Sequence, residues 1–242
     1  YLIRTGGATV LVDPVWSDQI PGRIRRRTPP GLRWEDVPRP DAVLITHNHY
    51  DHLDAPTIRR LPVSTPLLVP GGLGRWFRRR GCTDVTELDW WEHTTVAGLD
   101  IEFVPAHHWS RRGLLDGNRS LWGGWIVTAP DGAVIYHAGD SGYGGRFAEI
   151  GARHERIDIA VMPIGAYDPQ WFMGSAHMHP EDAVRAAADV HAARMTWMHW
   201  GTFVLSREPM AEPARRATAA WAAAGRAAGD LWDLAIGETR IL

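Results

Sequence analysis

The chain has 242 residues, of which 45% are hydrophobic, so it is long enough for one large domain or two small ones with a sizeable core. Its formal net charge of −2 favours neither nucleic acid nor an anionic membrane as a partner of the whole molecule. The only cysteine, Cys82, excludes an internal disulfide and a cysteine-rich metal site, and the absence of lysine excludes a Schiff-base lysine and a lysine-dependent phosphate loop.

The first residues have the pattern of a β-hairpin, with segments 1–4 and 9–12 on either side of a glycine turn. The second segment ends at Asp13, which is either a turn residue or a partner that orients a metal-bound histidine. Residues 17–40 are rich in arginine and proline, which predicts an irregular basic loop that is either solvated or in contact with phosphate or a membrane surface. Because the chain opens mid-strand, we expect the first strand to be incomplete, with more sequence before Tyr1.

The rest of the chain alternates apolar runs with helical patterns, without the regular alternation of a doubly wound sheet. Helices are predicted at 55–61, 72–80, 145–152, 180–192 and 211–228. Strands are predicted at 41–45, 66–69, 85–88, 99–104, 121–127, 133–137, 158–162, 195–198, 231–235 and 239–242. These patterns predict an α/β chain with two sheets and outer helices, in one domain over residues 1–242, because nothing resembling a linker divides it. No apolar run is long enough to span a membrane.

The residues that can bind metal are most concentrated between Thr46 and Asp54, directly after the apolar strand 41–45. Residues two apart in an extended chain face the same side, so His47 and His49 can face one metal together. Asp51 and His52 follow after the chain turns, approach from another direction and can serve a second metal. Imidazole nitrogen and carboxylate oxygen suit zinc and its neighbours among the divalent metals. The alternative, a histidine-rich surface loop, is disfavoured by the spacing and by the buried strand that precedes it.

Five segments place a histidine or an aspartate directly after a predicted strand: Asp13, 47–52, His107/His108, Asp140 and His199. Strand ends at one edge of a sheet converge, and the loops there are where sites are built. The set offers His47, His49 and one of His107 and His108 to one metal. It offers Asp51, His52 and His199 to the other, with Asp140 able to bridge them. That count leaves room for a bridging water, as a catalytic two-metal site requires.

These segments resemble the metallo-β-lactamase superfamily, and more closely its N-acylphosphatidylethanolamine-hydrolysing phospholipase D branch. The matching stretches span nearly the whole chain: 46–54, 87–92, 105–109, 121–123, 138–143, 163–167 and 199–203. The metal stretch is specific to the superfamily, whereas Trp90-Trp91-Glu92, His108-Trp109 and His199-Trp200-Gly201-Thr202-Phe203 narrow the resemblance to the branch. The resemblance implies a four-layer αββα sandwich with two mixed sheets, outer helices and a dinuclear site at one edge.

The resemblance also implies the ligands and the cofactors, two Zn²⁺, with Mn²⁺ or Fe²⁺ as alternatives. One metal is held by His47, His49 and His108, and the other by Asp51, His52 and His199, with Asp140 bridging. His108 is selected over His107 because the family's histidine directly precedes a tryptophan. Asp13 matches the family's aspartate behind the site.

The implied activity is cleavage of N-acylphosphatidylethanolamine to N-acylethanolamine and phosphatidic acid by hydroxide formed at the two metals. The implied catalytic residues are Asp51, Asp140 and His177. His177 either protonates the leaving alkoxide or holds a phosphate oxygen, unless it is only a loop residue. Most of the thirteen tryptophans are expected in the core. The residues expected to line the substrate pocket are Trp109, Trp171, Phe172 and Trp200.

Other functions remain as alternatives. Hydroxide attack serves a lactone as well as a phosphodiester, so a lactonase or another small-ester hydrolase is the first alternative. A nuclease is disfavoured by the negative net charge and the scattered arginines, and an inactive metal-binding protein by the complete ligand set. The expected partners are a phospholipid or small ester substrate and a peripherally contacted membrane, without nucleic acid and with a homodimer left open. The expected location is the cytoplasm, with membrane association left open.

Overall fold

The computed structural model describes all 242 residues and contains fourteen strands and six α-helices. The strands are β1 Leu2–Thr5, β2 Ala8–Val12, β3 Gln19–Ile20, β4 Ile24–Arg25, β5 Ala42–Leu44, β6 Leu67–Pro70, β7 Val85–Leu88, β8 His93–Val96, β9 Leu99–Pro105, β10 Gly123–Thr128, β11 Val134–His137, β12 Ile157–Pro163, β13 Ala192–Met198 and β14 Leu231–Trp232. The helices are α1 Ala55–Arg60, α2 Gly74–Arg78, α3 Arg146–Arg153, α4 Gln170–Met173, α5 Pro180–Asp189 and α6 Glu212–Ala223. Two 3₁₀ turns lie at Trp34–Asp36 and Ala228–Asp230.

Two mixed sheets form the middle of the molecule. One has five strands in the order β1-β2-β5-β6-β7, and the other has seven in the order β14-β13-β12-β11-β10-β9-β8. In the first sheet β2, β5, β6 and β7 run parallel, and in the second β11 to β14 do. Strand β12 is buried at every position, as expected of a parallel strand covered on both faces.

Three apolar cores hold the layers together. Ile58 of α1 and Phe77 of α2 pack on the outer face of the five-stranded sheet. Phe147 and Trp221, from α3 and α6, pack on the outer face of the seven-stranded sheet together with α5. The third core lies between the two sheets. This arrangement confirms the predicted four-layer αββα sandwich.

Several predicted elements were wrong in extent. Residues 239–242 form no strand, and the end of the chain is exposed. The C-terminal helix ends at Ala223, shortly before Gly225, whose φ of +68° breaks helical geometry. The basic loop 17–40 was predicted to be irregular but contains the hairpin of β3 and β4. Strand β8 and helix α4 were not predicted, because both are short and mostly exposed. None of the helices combines the length and the apolar character needed to cross a bilayer.

Trp125 joins the two sheets at the point where the His/Asp stretch begins. Its side chain is fully buried in the middle core, and its Nε1 donates a hydrogen bond of 3.1 Å to the carbonyl of Ile45. A buried carbonyl that loses its donor and a ring that leaves a void both destabilise a fold.

We expect Trp125→Phe to lower the free energy of unfolding by about 1–3 kcal/mol, because the hydrogen bond and part of the packing are lost. Urea unfolding followed by circular dichroism measures the change. The control is Trp171→Phe, since Trp171 is 86% exposed; it should change stability by less than about 0.5 kcal/mol. Equal stability of the two variants would contradict this role of Trp125.

Candidate metal centre

The predicted ligands come together at one edge of the sandwich because the strands that precede them end there. The stretch 46–54 follows β5 of the first sheet, and Asp140 and His199 follow the parallel strands β11 and β13 of the second. His108 follows β9, which is antiparallel to β10 and therefore runs in the same direction as β11. The two sheets thus place their loops against each other at this edge.

The first ligand group consists of His47, His49 and His108. The Nε2 atom of His47 lies 2.9 Å from Nδ1 of His49, which in turn lies 3.2 Å from Nε2 of His108. The outer nitrogens of two of these rings are held: His47 Nδ1 donates to Thr46 Oγ1 at 2.9 Å, and His108 Nδ1 donates to the Ala176 carbonyl at 3.0 Å. Both tautomers leave an unprotonated Nε2 facing the group.

The second ligand group consists of Asp51, His52, Asp140 and His199. His199 Nε2 lies 3.2 Å from Asp51 Oδ2 and 3.1 Å from Asp140 Oδ2. His52 Nε2 makes no hydrogen bond, although Asp140 Oδ2 lies 3.2 Å away. The same oxygen of Asp140 is 4.0 Å from His47 Nε2 and 3.8 Å from His108 Nε2, so it lies between the two groups.

Asp13 supports the site from behind. Its carboxylate accepts hydrogen bonds from the Thr46 amide at 2.8 Å, from Thr46 Oγ1 at 2.6 Å and from His52 Nδ1 at 2.7 Å. One carboxylate thereby orients His52 directly and His47 through the threonine hydroxyl. Partners of this kind fix the tautomer and direction of metal-binding histidines.

The remaining predicted site residues differ in their distance from the cluster. His177 is close, with Nδ1 3.8 Å from Asp140 Oδ2 and without a hydrogen-bond partner. His107 lies outside, pairing with Gly142 through its backbone and packing its ring against Gly144. Trp109 packs edge-on against His49 with 4.4 Å between ring centroids, and Trp200 packs against Trp197. Trp171 and Phe172 are exposed to 86% and 67%, so they stand on the surface.

Sequence reasoning missed the roles of Thr46 and Asp54. Asp54 stands directly before α1, but its buried carboxylate makes no bond to a helix amide. It accepts hydrogen bonds from Ser17 N at 3.1 Å, Ser17 Oγ at 2.8 Å, Trp16 N at 3.3 Å and Thr57 Oγ1 at 2.5 Å. The spacing of Asp54 and Thr57 is the one local signal for such a contact; the pairing with residues 16 and 17 is long-range.

The electrostatics of the cluster favour a cation. Burial and the neighbouring imidazoles lower the pKa of His47 well below its usual value, and burial lowers the pKa of His108 to about 3. Burial alone would lower the pKa of His52 too, but the carboxylates of Asp140 and Asp51 raise it well above its usual value. The first group therefore offers neutral lone pairs, and the two carboxylates of the second group stabilise positive charge, as the raised pKa of His52 indicates.

The residues fit divalent metal ions by geometry and by chemistry. In a tetrahedral zinc site with bonds of about 2.0–2.1 Å, ligand atoms lie about 3.3 Å apart. The closest ligand-atom separations in both groups are 2.9 to 3.2 Å. Buried polar atoms normally have partners, whereas His52 Nε2 and Asp140 Oδ1 have none. Imidazole and carboxylate ligands suit zinc, iron and manganese.

Comparisons with known proteins agree with this fold. A family model described as a beta-lactamase superfamily domain matches residues 8–200. An uncharacterised protein of Mycobacterium tuberculosis is 40% identical over 230 residues, which cover 90% of this chain and 61% of that protein. N-acyl-phosphatidylethanolamine-hydrolyzing phospholipase D 1 of Caenorhabditis elegans is 36% identical over 219 residues, which cover 84% of this chain and 61% of that protein. The chain thus spans about three fifths of the length of these curated relatives.

A solved structure is also similar. The isothiocyanate hydrolase from Delia radicum gut bacteria superposes with a TM-score of 0.80 at 21% identity, covering 100% of this chain and 95% of that one. At this identity the likeness shows the fold alone.

We expect Asp140→Asn to lower the metal content of the purified protein, because one buried carboxylate oxygen faces both ligand groups. Metal per chain, measured by mass spectrometry after dialysis, should fall by about one equivalent or more. The control is Asp100→Asn, which removes an exposed carboxylate 2.9 Å from Nδ1 of His93. A variant at Asp140 that keeps the metal content of the control would contradict the bridging position.

Proposed function

The chain belongs to the beta-lactamase superfamily of metal-dependent hydrolases, and from that premise we propose that it is a phospholipase D-type phosphodiesterase with two zinc ions. Its proposed substrate is N-acylphosphatidylethanolamine, and the products are N-acylethanolamine and phosphatidic acid. The observation that carries the proposal is the 36% identity to a phospholipase D of that specificity over 84% of the chain. Zinc is our choice among the metals that suit the proposed ligand residues.

When bound, two divalent cations would supply acidified water and stabilise negative charge on the phosphoryl oxygens. The side chains around the site orient the metal-binding imidazoles and contact the substrate. Asp13 and Thr46 hold the imidazoles of His52 and His47 in fixed directions. His177 has an unpartnered Nδ1 next to the cluster, so we assign it to a phosphate or leaving-group oxygen of the substrate.

An apolar rim around the cluster supports a lipid substrate. The rim consists of exposed hydrophobic side chains on three segments, one after His108, one before His177 and one after His199: Trp109, Leu114, Leu115, Trp171, Phe172 and Val204. The first loop is tied to the His/Asp stretch, because Tyr50 Oη donates to the Arg112 carbonyl at 2.8 Å and Arg112 donates to the Asn48 carbonyl at 3.0 Å. The second loop is tied to His108 through the Ala176 carbonyl.

Unpaired cations accompany this rim. Arg111, Arg119 and Arg207 are exposed, lie on the same loops, and form no ion pair. Apolar tips flanked by arginines are the composition of surfaces that lie in the headgroup region of anionic lipid. We therefore propose that the protein contacts lipid peripherally through the apolar rim.

The substrate assignment predicts release of N-acylethanolamine from N-acylphosphatidylethanolamine in mixed micelles by the metal-loaded protein. A metal chelator and Asp140→Asn should each abolish release, because both remove the cations that activate water. Parallel assays with an acyl-homoserine lactone and bis(p-nitrophenyl) phosphate test the alternatives. Turnover of the lactone without turnover of the phospholipid would refute the phosphodiesterase and leave a small-ester hydrolase.

The lipid contact predicts that Leu114→Ser/Leu115→Ser binds phosphatidylglycerol vesicles about tenfold more weakly, since two leucine tips lose part of their transfer free energy. Vesicle co-sedimentation measures binding, and turnover of soluble bis(p-nitrophenyl) phosphate should stay unchanged. The matched control is Val63→Ser, because Val63 is 58% exposed before β6 and therefore at the opposite edge. Equal vesicle binding by wild type and both variants would contradict the contact.

A further inference from the structure

His199 differs from His47, His52 and His108 in how its ring is held, and it shares with His49 a buried outer nitrogen that has no hydrogen-bond partner. His47, His52 and His108 each have a hydrogen-bond partner for the ring nitrogen that faces away from the cluster. His199 Nδ1 is buried and has no partner. Its ring is stacked between His52 and His177, with centroids 5.2 and 5.3 Å away and interplanar angles of 22° and 13°. The direction of this ring therefore depends on the position of its backbone.

That backbone is in a conformation that needs support. His199 has a φ of +61°, in the left-handed region that non-glycine residues adopt only when their surroundings enforce it. Strand β13 ends at Met198, and the chain turns again at Gly201, whose φ is +73°. Contacts must therefore hold residues 199–203, which we call the His199 loop.

The segment 26–28 supplies these contacts from a distant part of the chain. The Arg27 amide donates to the Thr202 carbonyl at 2.8 Å, and Thr28 Oγ1 donates to the Gly201 carbonyl at 2.6 Å. The guanidinium carbon of Arg26 lies 5.0 Å from the centre of the Phe203 ring, within cation–π distance.

Arg26 also connects this loop to the opposite sheet. Its Nε donates to the Ser17 carbonyl at 3.1 Å, and one of its terminal nitrogens donates to the Val15 carbonyl at 2.7 Å. Ser17 is in turn fixed by the buried carboxylate of Asp54, which closes the His/Asp stretch. One half-buried guanidinium thus links the loop that carries His199 to the stretch that carries Asp51 and His52.

We infer that Arg26 is a positioning residue for His199, and that through it Arg26 sets the affinity of the second ligand group for its metal. The inference rests on the two-metal site of the proposed function. The first group, with His47, His49 and His108, has no contact with Arg26. Its affinity for metal should therefore not depend on Arg26. Arg25 is the matched control, because it is the adjacent arginine, is exposed, and forms no side-chain hydrogen bond or ion pair.

The test is chelator competition on the metal-loaded, full chain, with zinc release followed at increasing chelator concentration. Two release steps are expected in the wild type, and His199→Ala identifies the step that belongs to the second group. In Arg26→Met this step should shift to about tenfold weaker affinity, the size of effect that outer contacts have on metal ligands. The other step should not move, and Arg25→Met should match the wild type in both.

A second variant protects the test against general misfolding. Phe203→Leu removes the aromatic ring that packs against the Arg26 guanidinium. It should therefore lower the metal affinity seen in the same release step. In the double variant with Arg26→Met, the two effects should not add, because each removes the same contact. Circular dichroism and thermal unfolding accompany every variant, and Arg26→Lys, which keeps the cation, should restore part of the affinity.

The inference is overturned if Arg26→Met leaves both steps unchanged, or if it weakens both equally, since the arginine is then only structural. A wild-type chain with a single release step would overturn it together with the two-metal proposal. If the second step alone shifts but the phospholipid is not cleaved, the inference stands and only the proposed substrate is refuted.

Discussion

One buried carboxylate oxygen, Asp140 Oδ2, is the point on which the geometry of the site depends. Five imidazoles have a nitrogen within 4.0 Å of it: those of His47, His52, His108, His177 and His199. Burial alone would raise the pKa of this carboxyl, but His199 and His52 hold it well below its usual range. A carboxylate with this many imidazole neighbours and an unpaired second oxygen is costly to bury without a cation.

The sandwich provides this arrangement by combining strand ends with close backbone approaches. Asp140 follows β11 through Gly139, which has a φ of +62° and whose added Cβ would lie 2.3 Å from the Gly123 carbonyl. His199 follows β13 next to Gly165, where an added Cβ would lie 2.0 Å from the His199 carbonyl. Glycine is required at both places, because a side chain would push apart the loops that bring the two ligand groups together. The core between the two sheets and the core on the outer face of the seven-stranded sheet keep these loops at a fixed separation.

Much of this organisation could be predicted from the sequence, because it follows from local patterns. Alternation along an extended segment puts His47 and His49 on one side, and short apolar runs before Asp140 and His199 mark the strand ends. The contacts of Arg26 and Asp54 could not be predicted, since they join residues far apart in a segment without periodicity. The exposure of individual tryptophans could not be predicted either, because nothing in the local sequence distinguishes Trp171, on the surface, from Trp125, in the core. The tertiary placement of the loops decides both.

The central claim is that two divalent metals are bound between the two sheets and share Asp140. The most direct measurement is a crystal structure of the protein grown with zinc, with anomalous diffraction collected above and below the zinc edge. Two anomalous peaks should appear, one among the nitrogens of His47, His49 and His108 and one among the ligand atoms of Asp51, His52 and His199. The Asp140 carboxylate should contact both. A single peak, or zinc bound only at surface histidines, would contradict the claim.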